Sequence, residues 1–429
     1  MELVAKLKRR FEEGNPISVG IIGCGQMGSG LAHAVSHVVG MASKAIADIE
    51  PQRAIDTYRE MGWKKTDIVV TAKKGDAEDA LRKGKVVVTT DALLMPQLDG
   101  LEVNVEVTGC TDIGAQVAWA SITSKKPIVM LNVETDVTIG YLLNHTARKS
   151  GARYTVASGD EPGVCKMLYE QAVLQGFEVI CLGKGKNNPI RHNATPDDCA
   201  AEAKQKDMNP KMLCSFVDGT KTMVEMAAVS NATGLLPDVP GMHGPQVEIP
   251  DLHKVFIPKE DGGIFNRRGV VDYSTGKVAP GVFAIVYAAD PHTRKDMKFL
   301  TKADGPYYLQ YRPYHNCNLE TPQSIAELVL LGEVTVTANQ MNSEVVCVSK
   351  RKIKKGEKVG GIGGPDIRGV IYTYKDAEAK KAIPLGIAQA GVAKKNIEPG
   401  EIMTEDNFAP DTTTFIYKLR KKQDALLDK

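Results

Sequence analysis

Ile17-Ser18-Val19-Gly20-Ile21-Ile22-Gly23-Cys24-Gly25-Gln26-Met27-Gly28 is the stretch on which the reading of this chain turns. Its first six residues are mostly apolar and β-branched, which predicts a buried strand. They run straight into a Gly-x-Gly-x-x-Gly turn with a helix-like segment behind it. That order of strand, glycine turn and helix is the fingerprint of a dinucleotide site. Gly23 permits the tight turn, Gly25 lets the backbone approach a pyrophosphate, and Gly28 lets the helix pack close to the strand. Gln26 and Met27 complete the turn, where free N–H groups of the new helix face the phosphates. A second apolar segment, Ala45-Ile46-Ala47, ends in Asp48, about 20 residues on, where an acid accepts the ribose hydroxyls. The pattern predicts a nicotinamide coenzyme.

The alternation continues outward. Apolar runs at 86–88, 103–107 and 128–131 are separated by helix-like stretches at 28–39, 51–61, 76–83 and 113–124. This predicts an α/β domain over residues 1–150, a Rossmann doubly wound parallel sheet. Residues 63–76 form an insert, longer and more polar than the minimal unit needs. Asn132 and Glu134, after the fifth apolar run, fall where loops meet the nicotinamide end of such sheets. From 151 to 335 short strands and helices are joined by polar, Gly- and Asn-rich loops, a central α+β substrate domain. Residues 336–429 hold two similar passages, Lys350-Arg351-Lys352-Ile353-Lys354-Lys355-Gly356-Glu357 and Ala393-Lys394-Lys395-Asn396-Ile397-Glu398-Pro399-Gly400-Glu401. They predict a small all-β domain of repeated hairpins, its basic clusters solvated at the surface and residues 360–364 a flexible loop.

Bulk properties narrow the function classes. The chain has 429 residues, 43% hydrophobic and 25% charged, with a net charge of +2. That is ordinary for a soluble multidomain protein and gives no general pull towards nucleic acid or membrane. The eight cysteines are scattered without Cys-x-x-Cys spacing, as expected of reduced thiols. The first fifteen residues mix Lys, Arg and Glu and read as a surface helix, not a signal peptide. No apolar run approaches the roughly 20 residues of a membrane span. A cytoplasmic location is expected.

Hydride transfer needs groups that orient the substrate and trade its proton. Four constellations in the middle domain offer them. Lys184, Lys186, Asn187 and Asn188 sit in a Gly-flanked turn suited to an anionic substrate group, against the plainer reading of ordinary loop lysines. Asp218 and Lys221, followed by Glu225, would align on one helical turn as a proton shuttle, or as an N-cap with surface ion pairs. Asp160 and Glu161, before Pro162, are adjacent carboxylates able to hold a divalent ion or polarise a lysine, or a plain acidic turn. His243, in Gly241-Met242-His243-Gly244-Pro245, and Arg312 with His315, in Arg312-Pro313-Tyr314-His315-Asn316, suit an anion or proton transfer near neutrality. Cys24 lacks a paired base and reads as structural.

On these runs the chain resembles a known family over nearly its whole length. Residues 16–150 are similar to the cofactor domain of homoserine dehydrogenases. The full arrangement, ending in a SAF-like (β-clip) domain, resembles the second class of 1-deoxy-D-xylulose 5-phosphate reductoisomerase, the reductoisomerase-like enzymes. Gly159-Asp160-Glu161-Pro162, residues 183–189, residues 218–228 and the two histidine loops carry the resemblance. It implies a homodimer or larger homo-oligomer joined through the middle domain, with a small-molecule substrate. It implies lysines and histidines on a substrate phosphate and carboxylates such as Glu161 on Mg2+ or Mn2+. It further implies conversion of 1-deoxy-D-xylulose 5-phosphate to 2-C-methyl-D-erythritol 4-phosphate with NADPH. One departure matters. Members that use NADPH carry basic residues after the second strand, whereas this chain has Asp48-Ile49-Glu50. Two carboxylates repel a 2′-phosphate, so NAD(H) is expected over NADP(H). The lead expectation is an NAD(P)-dependent oxidoreductase on a small polar, phosphorylated or carboxylated hydroxy or keto compound. The alternatives are a plain NAD-dependent dehydrogenase of a sugar acid, polyol or homoserine-like metabolite, and a cofactor-binding sensor or scaffold.

Overall fold

The structure, a computed structural model, describes residues 2–187 and 189–428. Asn188, one of the candidate site residues, lies outside them. By its internal contacts the chain forms two compact units. The first comprises Met1–Asp160, Asn316–Thr337 and Thr414–Lys429; the second comprises Glu161–His315 and Ala338–Thr413. The sequence drew three domains. Instead, most of the C-terminal stretch gathers with the middle of the chain, and its last helix, Phe415–Leu427, with the beginning.

The first unit opens with helix α1 (Glu2–Glu12), then alternates strands and helices: β1 (Ile17–Ile22), α2 (Gln26–His37), β2 (Met41–Ala47), α3 (Pro51–Glu60), β3 (Ile68–Val70), α4 (Lys74–Arg82), β4 (Val86–Thr89), β5 (Val103–Glu106), α5 (Thr111–Thr123), β6 (Ile128–Met130), α6 (Val133–Ser150) and β7 (Tyr154–Val156). All seven strands join one parallel sheet in the order β3-β4-β2-β1-β5-β6-β7. The order reverses at β1: the chain runs out to β2 on one side and returns to β5 on the other. In such sheets the crevice at that reversal is where ligands bind. The inner strands are apolar on both faces because helices cover them, so they read as continuous Val/Ile runs.

Two strands escaped the sequence reading. β3 hides in the polar insert as three residues at the sheet edge, and β7 lies beyond the expected boundary at 150. β7 is held by later chain: Val156 bridges Val336, and the Ser158 hydroxyl lies 2.7 Å from that of Ser324. Ile325, Ala326 and Leu328 pack into the same core as Val19, Ile21 and Val105. Among the described residues no helix is long and apolar enough to cross a membrane.

The second unit is built on α7 (Glu161–Leu174), β8 (Glu178–Gly185), α8 (Pro196–Gln205), α9 (Pro210–Val217), α10 (Thr220–Thr233), β9 (Leu236–Pro237), β10 (Val270–Ser274), β11 (Val282–Tyr287), β12 (Tyr307–Arg312), β13 (Ser343–Ser349) and β14 (Ile367–Thr373). A five-stranded mixed sheet runs β12-β11-β8-β10-β9, with β10 parallel to β8 and β11 antiparallel to both β8 and β12. Phe256, Phe265 and Phe283 pack edge-on within its core. β13 and β14 form a separate antiparallel pair. The two similar basic passages do pair, through mutual backbone hydrogen bonds of 2.9 Å between Ile353 and Ile397.

The expected flexible loop at 360–364 is instead pinned. Gly361, Gly363 and Gly364 are buried, the Gly360 N–H donates to Asp366 at 2.6 Å, and the Gly364 carbonyl accepts from Lys350 at 2.8 Å.

Asn231 on α10 fastens the start of β13. Its amide oxygen accepts the N–H groups of Asn342 and Ser343 at 2.8 and 2.9 Å, and its amide nitrogen donates to the Ser343 carbonyl. Asn231→Ala strands two buried or half-buried amides, each costing about 1–3 kcal/mol. Chemical denaturation of the full chain should therefore show a loss of about 2–4 kcal/mol. Asn231→Asp, which buries an unpaired carboxylate and turns an oxygen towards the Ser343 carbonyl, should lose at least as much.

Candidate functional site

In the first unit the glycine turn is built as its spacing predicts. Gly23 has φ of 100°, and a Cβ there would lie 2.9 Å from the Val107 backbone. A Cβ on Gly28 would stand 1.9 Å from the Gly23 carbonyl oxygen. These two glycines are demanded by the protein's own packing. Gly25 is not: a Cβ there meets nothing within 4 Å. Gly25 caps α2, no side chain accepts from the first N–H groups, and the first turn carries no acid. Open space above uncapped, partly positive N–H groups is what a diphosphate requires, so the turn, with Gln26 and Met27 opening α2, fits the coenzyme.

Asp48 stands beside the turn. Its carboxylate accepts the N–H of Cys24 at 2.6 Å and of Glu50 at 2.8 Å, which fixes its orientation. Arg53 is tied to Glu50 at 2.9 Å. The Cys24 thiol is buried against Thr57, its pKa raised by burial, in keeping with a structural role.

Asn132 proves to be the N-cap of α6: its side chain accepts from Thr135 N–H at 3.1 Å and donates to the Cys110 carbonyl at 3.2 Å. Capping accounts for its place without a ligand. Glu134 lies in the first turn of the same helix, half-buried. The sequence reading passed over Glu106, at the end of β5 beside β1. It is fully buried, one oxygen takes the Thr108 N–H at 2.8 Å, the other has no hydrogen-bond partner among the described residues, and burial pushes its pKa up to about 7. The signal was an acid inside an apolar strand.

The second unit gathers the chemistry-bearing residues of the middle sequence. Lys184 leaves the end of β8, Glu161 opens α7, and Glu225 lies on the second turn of α10. The Lys184 ammonium donates to both carboxylates, and all three side chains are at most 8% exposed. Burial alone would strip its proton, but the charges of Glu161 and then Glu225 outweigh it and hold the pKa above the ordinary lysine value. His315 flanks the group with Nε2 3.4 Å from Glu161. Its Nδ1 lies 2.7 Å from the Pro280 carbonyl, which can only accept, so Nδ1 carries a proton.

Lys186 follows β8, buried, and donates to the Phe216 carbonyl at 2.6 Å. Burial, and then the charge of Lys184, pull its pKa down to about 8. The plainer reading of ordinary exposed loop lysines is thus corrected: both lysines are buried, and the Lys184 charge is committed to two acids. Asn187 is exposed.

The reading of Asp218 as a helix N-cap is corrected as well, and Asp218 and Glu225 each have a partner that the helical spacing did not suggest. Asp218 ends α9 and Gly219, not Asp218, is the N-cap of α10. The Asp218 carboxylate takes the Thr220 N–H at 2.8 Å and ion-pairs with Lys350 at 2.5 Å, while Glu225 turns to Lys184. Burial raises the Asp218 pKa against the opposing pull of Lys350. Lys350, expected on the solvated surface, is 3% exposed and also donates to the carbonyls of Ala194 and Gly364. Lys221 is half-buried at the start of α10.

Asp160 belongs to the first unit, where the Cys317 thiol donates to it at 3.3 Å. His243 lies 2.8 Å from the Asp238 carboxylate through Nε2, while its own N–H and that of Gly244 donate to Asp272. Arg312 stacks its guanidinium 4.7 Å over Tyr314.

Residues 159–321 match the family model of the catalytic domain of oxidoreductase DRL. That segment carries Glu161, Lys184, Lys186, Asp218, Glu225 and His315. No curated protein matches the chain. Among solved structures, 1-deoxy-D-xylulose 5-phosphate reductoisomerase from Zymomonas mobilis in complex with NADPH is similar over 73% of this chain and 70% of that one, at 15% identity and a TM-score of 0.38. Scyllo-inositol dehydrogenase from Lactobacillus casei, with NAD(H) and scyllo-inositol, is similar over 64% and 74%, at 12% identity and 0.38. For an oxidoreductase from Agrobacterium radiobacter in complex with NAD+, L-tartaric acid and magnesium, the chain spans less than half of that protein (45%, against 40% of this chain), at 14% identity and 0.30. None of these likenesses carries a substrate over to this chain.

Lys186 gives a stability signature. Its folded pKa of about 8 lies below the ordinary 10.5, so between these values the unfolded chain binds more protons and folding becomes more favourable as pH rises. Below pH 8 the buried charge opposes folding in full. In paired denaturation curves Lys186→Met should be the more stable protein at pH 7, and its advantage should shrink from pH 8 to 10.5. A pH-independent difference would contradict the lowered pKa.

Proposed function

We propose that this protein is an NAD(P)-dependent oxidoreductase acting on a small polar hydroxy or keto compound, and that NAD(H) is preferred over NADP(H). The coenzyme, held at residues 23–28 with Asp48 on the ribose, supplies the hydride. The observation that carries the reading is the buried group of Lys184, Glu161 and Glu225 with Lys186 beside it. Lys186, poised near neutrality, can give a proton to a carbonyl oxygen as it becomes an alcohol, or take one in the reverse direction. Lys184, committed to Glu161 and Glu225, fixes the two acids beside that proton donor. The preference for NAD(H) rests on Asp48 and Glu50, whose charges oppose a 2′-phosphate.

A second reading, reductoisomerase-like action on 1-deoxy-D-xylulose 5-phosphate, draws on the matched family and on carboxylate oxygens of Glu161 and Glu225 within 4.8 Å of each other. It asks these acids to hold Mg2+ or Mn2+. They fit that role poorly as they stand, because the Lys184 ammonium already occupies the space between them and supplies the positive charge. The simpler dehydrogenase is therefore the leading form of the proposal. The C-terminal β segment keeps its reading as a SAF-like module, supported by the pairing of its two similar passages.

Turnover with NADH and NADPH should be measured across hydroxy acids, polyols and ketose phosphates, with and without chelator. Activity that survives chelation supports the dehydrogenase, and strict metal dependence supports the rearrangement. Lys186→Met should lower kcat by about 100-fold or more, the usual scale of a lost acid–base group. Asp48→Ala should weaken NADH and narrow the gap to NADPH. Absence of any coenzyme uptake by calorimetry would leave the sensor or scaffold alternative without its ligand as well, and the reading would fail.

A further inference from the structure

Three buried lysines of the second unit have partners: Lys184 pairs with Glu161 and Glu225, Lys350 pairs with Asp218, and Lys186 donates to the Phe216 carbonyl. Arg368 differs from them. It lies on β14, opposite Val348 of β13, and is half-buried. No ion pair or hydrogen bond involves its guanidinium among the described residues, and its Nε is shut off from solvent without a partner. Burial lowers its pKa, with Asp218 giving the main opposing pull. A guanidinium is among the side chains least tolerated without partners, since its five donors cannot be silenced by losing a proton.

The surroundings show what partner is missing. His192 is exposed and close enough for the charge of Arg368 to oppose its protonation. This part of the chain thus opens to solvent. Arg368 itself is held in place: the N–H of its neighbour Gly369 donates to Thr220 Oγ1 at 2.9 Å, at the start of α10 and two residues from Asp218. An unpaired, positioned guanidinium beside a solvent-reached imidazole suits an oxyanion. The planar fork matches carboxylate and phosphate oxygens in pairs.

We propose that Arg368, with His192 at the rim, binds an oxyanion, phosphate or carboxylate, of the substrate, so that the C-terminal β segment completes the substrate site of the second unit. This rests on the reading of that unit as the substrate-handling part of an oxidoreductase. It narrows the substrate to an anionic one.

The test is calorimetry on the full chain saturated with NADH, titrated with inorganic phosphate and separately with acetate. The expected result is one anion bound per chain outside the coenzyme site. Arg368→Ala should weaken it by about tenfold or more, the scale of a charged hydrogen bond. Arg368→Lys should fall between, keeping the charge and losing the fork, and it reports on the site should the alanine variant not fold. Tighter phosphate identifies a phosphate ester as the substrate class, and tighter acetate a carboxylate. Equal affinity in wild type and both variants, or no uptake of either anion, overturns the proposal. Failure of the coenzyme reading shows separately as absent NADH uptake. The difference between wild type and Arg368 variants, which share an unaltered glycine turn, still reads this site.

Discussion

A lysine ammonium buried between two carboxylates governs the second unit. Removing such charges from water is costly, and the cost is recovered only when each finds an opposite charge in good geometry. Lys184 satisfies that condition with Glu161 and Glu225, which come from α7 and α10 while the lysine comes from β8. The pairing therefore locks a strand to two helices. The group carries one more negative than positive charge, so its lysine holds the two acids and the strand in place rather than offering a spare positive charge. Lys186, two residues further on, has its ammonium weakened chiefly by burial and then by the charge of Lys184. The two lysines thus differ by environment: the acids hold one protonated, and burial pulls the pKa of the other down to about 8.

The first unit rests on a different constraint, the closeness of backbone to backbone. Gly23 and Gly28 are required because a side chain at either would strike the main chain. Their spacing was legible because steric demands of this kind act over five residues and leave a local mark in the sequence. The alternation of strand and helix was legible for the same reason. Short elements were not. β3 is three residues within a polar insert and gains its place only by pairing with β4. β7 needs Val336 and Ser324, nearly two hundred residues later, to hold it.

The candidate site divides along the same line. The residues that the structure gathers around Lys184 were mostly singled out, since a lysine, an acid and a histidine amid glycine turns stand out by type. Their partners were not legible. Asp218 and Glu225 flank Lys221 in sequence, and helical spacing made that pairing attractive. The acids instead pair with Lys350 and Lys184, because burial selects partners by position in three dimensions. Lys350 was the clearest case. In a run of five basic residues it read as solvated surface, yet it is the one that turns inward, with Asp218 and two carbonyls to receive it.

Lys350 and Arg368 both come from the paired strands near the end of the chain, and both answer to Asp218. A module that merely followed the middle segment in sequence would have no reason to send two cations towards an acid at the end of α9. Lys350 neutralises that acid, and Arg368, denied it, is the cation left without a partner. With Lys350 on its carboxylate and the Thr220 N–H beside it, Asp218 does not close on Arg368. The ion pair and the unpaired guanidinium are two parts of one arrangement: the first keeps the second available.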